Sequence, residues 1–316
     1  MTSRTTDDYA AMAGAGVRAV LEPAFWLGQP RTGISSFVDY FDALLGWEPY
    51  RAAQFGIAHR CAIALNPKEA NDARLVDVLD LLPRYLAKDH VVAVGEVGYD
   101  GMTRAEDEAF AAQLRLAGEF ELPVLVHTPH RDKAVGTRRS LERIAASGTD
   151  AGMVLLDHLN ELTVEMVLRS GHWAGFSIYP DTKMSAARMV RILDRYGLDR
   201  ILVNSAADWG RSDPLATRRT AEAMLAAGFG PADVDRVFWR NPVEFYGRSG
   251  RLDLSQEAGP DGAAEDRAGE PADYEGNTLQ RGEAACVCDT PTVPASTSPT
   301  APTSILPRTS TVSSIS

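Results

Sequence analysis

Four side chains able to hold a divalent cation stand just beyond four separate apolar runs: Glu96 after VVAVG, His127 after PVLV, His158 after GMVLLD and Asp208 after RILVNSAA. Neutral imidazole nitrogens and carboxylate oxygens are common donors to such ions, and three convergent protein donors leave a coordination position for water. A bound ion acidifies that water and polarises a carbonyl or phosphoryl oxygen. These residue types therefore point to metal-dependent hydrolysis, with Glu96, His127 and His158 as metal ligands. Asp208 either takes a proton from the water or ligates the ion directly, and catalysis is assigned to it. Read singly, each has a plainer meaning: Glu96 a solvated loop acid, either histidine a buried ring held by a carbonyl. Their shared position at strand ends favours metal, and Gly95 and Gly98 around Glu96 permit close backbone approach.

Residues spread over more than a hundred positions meet only if the chain brings strand ends together. The sequence alternates short apolar runs with helical patterns, and in a parallel barrel the C-terminal strand ends gather on one face. Strands are expected at 17–21, 61–65, 91–97, 124–127, 153–157, 174–178 and 201–204. Helices are expected at 73–87, with Pro83 as a kink, and at 105–120, 138–146, 163–169, 185–196 and 214–227. A further helix opens the chain, with Thr5 or Thr6 capping DDYAAMAGAG. Asp213 before Pro214 reads as a cap. His59, His90 and His172 fall at strand beginnings, the face that serves stability. No glycine-rich phosphate loop follows any strand, which disfavours a nucleotide-binding Rossmann domain. The fold class is α/β, a TIM-like (β/α)₈ barrel lacking its first strand, over residues 1–251.

From Leu252 the composition shifts to Pro, Ser, Thr, Gly, Ala and acids, too poor in large apolar residues to offset the entropy of ordering. Residues 252–316 are read as a disordered acidic and Pro/Ser/Thr-rich tail. Cys286 and Cys288 lack the second Cys or His pair that a zinc site needs. Ten acids and three arginines give this stretch −7 of the net −11, leaving about −4 for the rest. With no basic cluster, strong duplex nucleic-acid binding is not indicated. No apolar run reaches the roughly 18 residues of a membrane span and no leader is evident, and three cysteines fit a reducing cytoplasm. Oligomeric state is not legible.

The motifs VGEVGYD (94–100), LPVLVHTPHRD (122–132), LLDHLNE (155–161), RILVNSAADWGRSDP (200–214) and RNPVEFYG (240–247) together resemble the TatD-type deoxyribonucleases, within the amidohydrolase-like metal-dependent hydrolases. The resemblance implies that Glu96 bridges two ions, that His127 and His158 bind one of them, and that Asp208 binds the other and assists the water. His130, Arg131 and Asn160 are substrate candidates. Three departures stand out. Asn204-Ser-Ala-Ala precedes Asp208 where the family has Glu-Thr. Leu65-Asn66-Pro67 lacks the histidine of the family's Gly-x-His-Pro loop, and Leu159-Asn160-Glu161 replaces its Phe-Gly.

The family's opening strand, ending in His-x-His, has no counterpart in this sequence. The expectation is an N-terminally truncated chain with at most one weakly held ion in place of two, Zn or Mn favoured over Mg. Exposed edges on the strands at 17 and 201 would favour aggregation and low hydrolytic activity. The substrate is expected to be a small molecule or short phosphoester, cleaved at a phosphoester, ester or amide-like bond. Two rivals remain: a metal-free sugar isomerase or lyase using Lys68, Lys133 or Lys183, and a non-catalytic binding protein docking through the tail.

Overall fold

The computed structural model describes residues 1–179 and 182–254. Seven parallel strands, β1 Ala19–Pro23, β2 Ala58–Ile63, β3 Val91–Gly98, β4 Val124–His127, β5 Val154–Asp157, β6 Trp173–Ser177 and β7 Ile201–Asn204, pair strictly in chain order. They form a curled half-barrel, a TIM-like barrel opened along one seam. Among the described residues β1 and β7 do not pair with each other. The expectation for residues 252–316 lies, beyond Leu254, outside the described residues.

Alternate residues of a strand face opposite sides of a sheet, and here both sides are covered. One set, including Ile63, Val94, Val124, Val126, Leu156 and Ile201, packs against helices through Phe110, Leu114, Met189 and Ile192. The other, including Ala62, Ala93, Leu125, Leu155 and Leu202, faces the interior together with Trp173, Phe245 and Tyr246. Full burial of one such aliphatic side chain is worth about 1.5–3 kcal/mol, so both faces contribute to stability. Beside the seam a third cluster, Met1, Tyr9, Met12, Ala52 and Ile57, packs with Val17 before β1 and with Ala207 and Leu215 after β7. Side chains, not a ladder, span that gap.

The helices that position the strand ends start where capping chemistry dictates. Arg104–Glu119 follows Thr103, whose hydroxyl accepts from the Glu106 amide at 3.2 Å. It buries Phe110, Leu114 and Ala117 along the expected stripe. The opening helix, Thr6–Gly14, is capped by Thr5, whose amide donates to Asp8 at 3.1 Å. Asp213 caps the turn ahead of Ala216–Ala226 by accepting from the Leu215 amide at 3.0 Å. Lys133–Ser147 begins five residues earlier than expected, directly after Asp132 in the left-handed region, φ +48°. That early start brings Lys133 back beneath the strand ends.

Candidate metal centre

Glu96 is buried at the carboxyl end of β3, 8% exposed. The β3–β4 register runs Gly95 to Leu125 and then Val97 to Val126, so Glu96 is the extra residue of a bulge. A bulge re-aims a side chain without ending the strand. Two glycines make the fit: a Cβ on Gly95 would lie 2.5 Å from that of Leu125, and Gly98 has φ +119° with the His127 carbonyl 2.5 Å from where a Cβ would stand. The Asn66 amide, on the loop after β2, donates to Glu96 Oε2 at 3.0 Å.

His127 ends β4, and His158 follows β5 with φ +62°. The two rings meet edge to face with centroids 4.7 Å apart. His158 Nε2 lies 3.2 Å and His127 Nδ1 3.8 Å from Glu96 Oε1. One donor atom from each of Glu96, His127 and His158 falls within 4.8 Å of the others. Among the described residues the buried His127 Nδ1 has no hydrogen-bond partner. An orphaned imidazole nitrogen facing a carboxylate and a second imidazole fits a divalent cation, which would supply what that nitrogen lacks.

Burial alone would raise the Glu96 carboxyl, but the two imidazoles facing it hold it well below the usual carboxylate range. His158 is pushed down to about 4, first by burial and then by the Lys183 ammonium, so its ring is neutral near pH 7 and its lone pair is available.

Further strand ends hold these donors in place. His158 Nδ1 pairs with Ser177 Oγ at the end of β6, 2.6 Å. Asp157 Oδ1 accepts from the His158 amide at 2.6 Å, and Asp157 Oδ2 accepts from Asn204 at the end of β7, 2.9 Å. Lys133 Nζ donates to the His158 carbonyl at 2.7 Å and to the Thr128 carbonyl and hydroxyl at 3.2 and 3.1 Å. It thereby ties the two histidine-bearing loops together, its amine pushed down to about 8 by burial first and then by Lys183. Such partners fix ring orientation and ligand basicity, as is usual around bound metals.

Asp208 stands apart from the three donors. Its Oδ1 accepts from the Gly210 amide at 2.9 Å and the Tyr179 hydroxyl at 3.3 Å, on the loop after β7, where it lines the same cavity. His130 also lines this cavity, its imidazole held below the ordinary value by burial first and then by Lys133, Lys183, His127 and Lys68. Arg131 and Asn160 are not among the lining residues. Asn160 is occupied locally, its Oδ1 accepting from the Leu162 amide at 3.0 Å, so the structure does not bring these two substrate candidates to the centre. Asn66, Asp157, Ser177 and Asn204 were not foreseen. Asp157 alone carried a signal, as the polar end of the run GMVLLD. His59 sits near the start of β2, paired with the buried Glu22 at 3.0 Å, and His90 and His172 precede β3 and β6.

The arrangement of strand-end donors around a half-barrel mouth is that of a metal-dependent hydrolase. Residues 43–247 match the TatD related DNase family, and the chain belongs to that family. It is 25% identical over 248 residues to an uncharacterized metal-dependent hydrolase of Methanocaldococcus jannaschii, covering 77% of this chain and 95% of that one. Among solved structures it is similar to a TatD-like protein from Archaeoglobus fulgidus, with TM-score 0.66, 24% identity, and 78% and 96% of the two chains covered. The fold is also shared with a phosphotriesterase homology protein from Escherichia coli complexed with phosphate in its active site, with TM-score 0.56, 17% identity, and 76% and 88% covered. A lactonase from Listeria monocytogenes has TM-score 0.54, 14% identity, and 76% and 84% covered.

Proposed function

We propose that Glu96, His127 and His158 hold a single divalent ion, Zn or Mn, and that the protein hydrolyses a phosphoester, ester or amide-like bond of a small substrate. The observation that carries this reading is the convergence of three donors around the unsatisfied His127 Nδ1. When bound, the ion supplies an acidified water and an electrophilic contact to the bond under attack. Glu96 contributes the one negative charge of the donor set, and His127 and His158 contribute neutral lone pairs. Asp208, which lines the same cavity, accepts the proton of the attacking water, and the Tyr179 hydroxyl and Gly210 amide hold its carboxylate. With three donors and one anionic ligand we expect modest turnover. The test is chelation and add-back of Zn²⁺ or Mn²⁺, scored on a panel of p-nitrophenyl esters and bis-p-nitrophenyl phosphate. Turnover should vanish with chelator and return with metal. Glu96→Gln should abolish metal retention, and Asp208→Asn should keep the metal while lowering kcat by about 100-fold or more. Turnover indifferent to chelator would rule the reading out.

A further inference from the structure

The cavity lined by Glu96, His127 and His158 is about 780 Å³ and carries further charged and aromatic side chains. Among the described residues six acidic ones line it, and each already has a partner: Glu22 pairs with His59 at 3.0 Å and Asp235 with Arg240 at 2.5 Å. Glu96 faces the imidazoles and Asp157 accepts from Asn204 and the His158 amide. Asp100 pairs with Lys68 at 2.9 Å, and Asp208 accepts from Gly210. Lys183 differs. Its Nζ lies 3.2 Å from His158 Nδ1 and 3.4 Å from Nε2, and 5.8 Å from the Tyr179 ring centroid. Among the described residues no carboxylate lies within ion-pair distance of it. An ammonium placed beside a ligand imidazole, with no anion of its own, is a ready point charge for an anion in the cavity.

The wall across the seam is aromatic. Trp26, on the loop after β1, and Trp209, on the loop after β7, meet edge to face at 5.7 Å, and the Trp209 indole N–H donates to the Trp26 carbonyl at 3.1 Å. Gly28 makes this approach feasible, since a Cβ there would lie 2.8 Å from the Trp209 ring. Both indoles line the cavity, yet Trp209 stays 52% exposed, leaving a large apolar surface at the mouth. A cation and an indole pair lining one cavity match the usual make-up of a small-molecule site: mostly apolar lining with a few placed polar groups.

Resting on the hydrolase reading of this site, we infer that Lys183 and the Trp26–Trp209 pair select a small substrate that joins an anionic group to a flat apolar body. Lys183 binds the anionic oxygen and the indoles cover the body. The shared chemistry is a monoanion on an aromatic or alicyclic frame, not a polynucleotide strand.

Binding of phenylacetate, phenylacetamide and acetate to the full chain by titration calorimetry tests this, once in EDTA and once loaded with Zn²⁺. In EDTA, phenylacetate should bind at least tenfold more tightly than phenylacetamide. Lys183→Met should bring that ratio close to one without weakening phenylacetamide, and Lys183→Arg should keep most of it. Trp209→Ala should weaken phenylacetate and phenylacetamide alike by about fivefold, with circular dichroism confirming that each variant is folded. A wild-type ratio near one, a ratio that survives Lys183→Met, or binding indifferent to Trp209→Ala overturns the inference. So does a single-stranded oligonucleotide that displaces phenylacetate at lower concentration than phenylacetate's own Kd. Because the EDTA measurement needs neither metal nor turnover, its failure is separable from failure of the hydrolase reading.

Discussion

Acid should unfold the metal-free protein through His158. Its imidazole, with an ordinary value of 6.5, titrates at about 4 in the folded chain. Between those values the unfolded chain carries a proton that the folded chain does not. Unfolding is then favoured by acid: the stability is whole above about pH 6.5, drains as pH falls toward 4, and levels off below it. At 1.36 kcal/mol per pH unit the full effect approaches about 3 kcal/mol, of which roughly 2.5 is lost by about pH 4.5. Glu96, held below its ordinary value of 4.5, contributes stability that is likewise lost as pH falls, so both losses run in the same direction. The assay is urea unfolding in EDTA at pH 7 and at about pH 4.5 for the wild type and His158→Gln, which keeps a polar side chain near Ser177 but does not titrate. The wild type should lose about 2 kcal/mol more than the variant between the two conditions. Equal losses would show that the buried imidazole is not what acid attacks.

Three further outcomes follow from contacts around the centre. Gly95→Ala should cost about 1–3 kcal/mol in urea unfolding and weaken Zn²⁺ affinity by tenfold or more, because its Cβ would collide with Leu125 and shift the Glu96 bulge. Lys133→Met should destabilise by about 1–3 kcal/mol by stranding the Thr128 and His158 carbonyls. Since the Lys133 amine is depressed from 10.5 to about 8, wild-type stability should rise from about pH 8 to 10 while the variant's stays flat, read from the same titrations. Zn²⁺ at a hundredfold excess over its Kd should stabilise the wild type by about 2.7 kcal/mol and leave a Glu96→Ala, His127→Ala double variant unmoved, by thermal melts with and without metal.

Much of this architecture is written in local patterns. The runs at 91–97, 124–127 and 201–204 are continuous apolar stretches buried on both faces, and the strands fall there within a residue. β1 begins two residues later than expected because Val17 packs with Met12 and Ala207 beside the seam. β2 begins three residues earlier because His59 and Arg60 are buried despite their polarity, paired to Glu22 and to the His59 and Asp253 carbonyls. The stretch 73–77 stays outside a helix because Asp72 holds Arg74 in a local turn.

At the site, Glu96, His127 and His158 were legible because each carries its chemistry at a strand end. The bulge that aims Glu96 was not, since it depends on Gly95 meeting Leu125 some thirty positions away. Nor was the part played by Asn66, Ser177 and Asn204, whose small polar side chains are common in loops and gain meaning only from what they touch. Lys183 was legible only as one of three lysines, with Lys68 and Lys133, that a metal-free isomerase or lyase would use. Its distinction is spatial, an ammonium against the His158 imidazole.

The seam between the first and last strands should decide where the sheet opens first. A sheet closed into a full ring shares its backbone bonds all the way round, so no part opens without straining the rest. Among the described residues β1 and β7 each have one unshared side, and side-chain contacts span them, the Trp26–Trp209 indoles among them. Amide hydrogens of Ala19–Pro23 and Ile201–Asn204 should therefore exchange with deuterium sooner than those of Val91–Gly98 at the sheet's centre. Each parting of the two ends would widen the cavity mouth as well, making the breathing of the sheet and the admission of a ligand one motion.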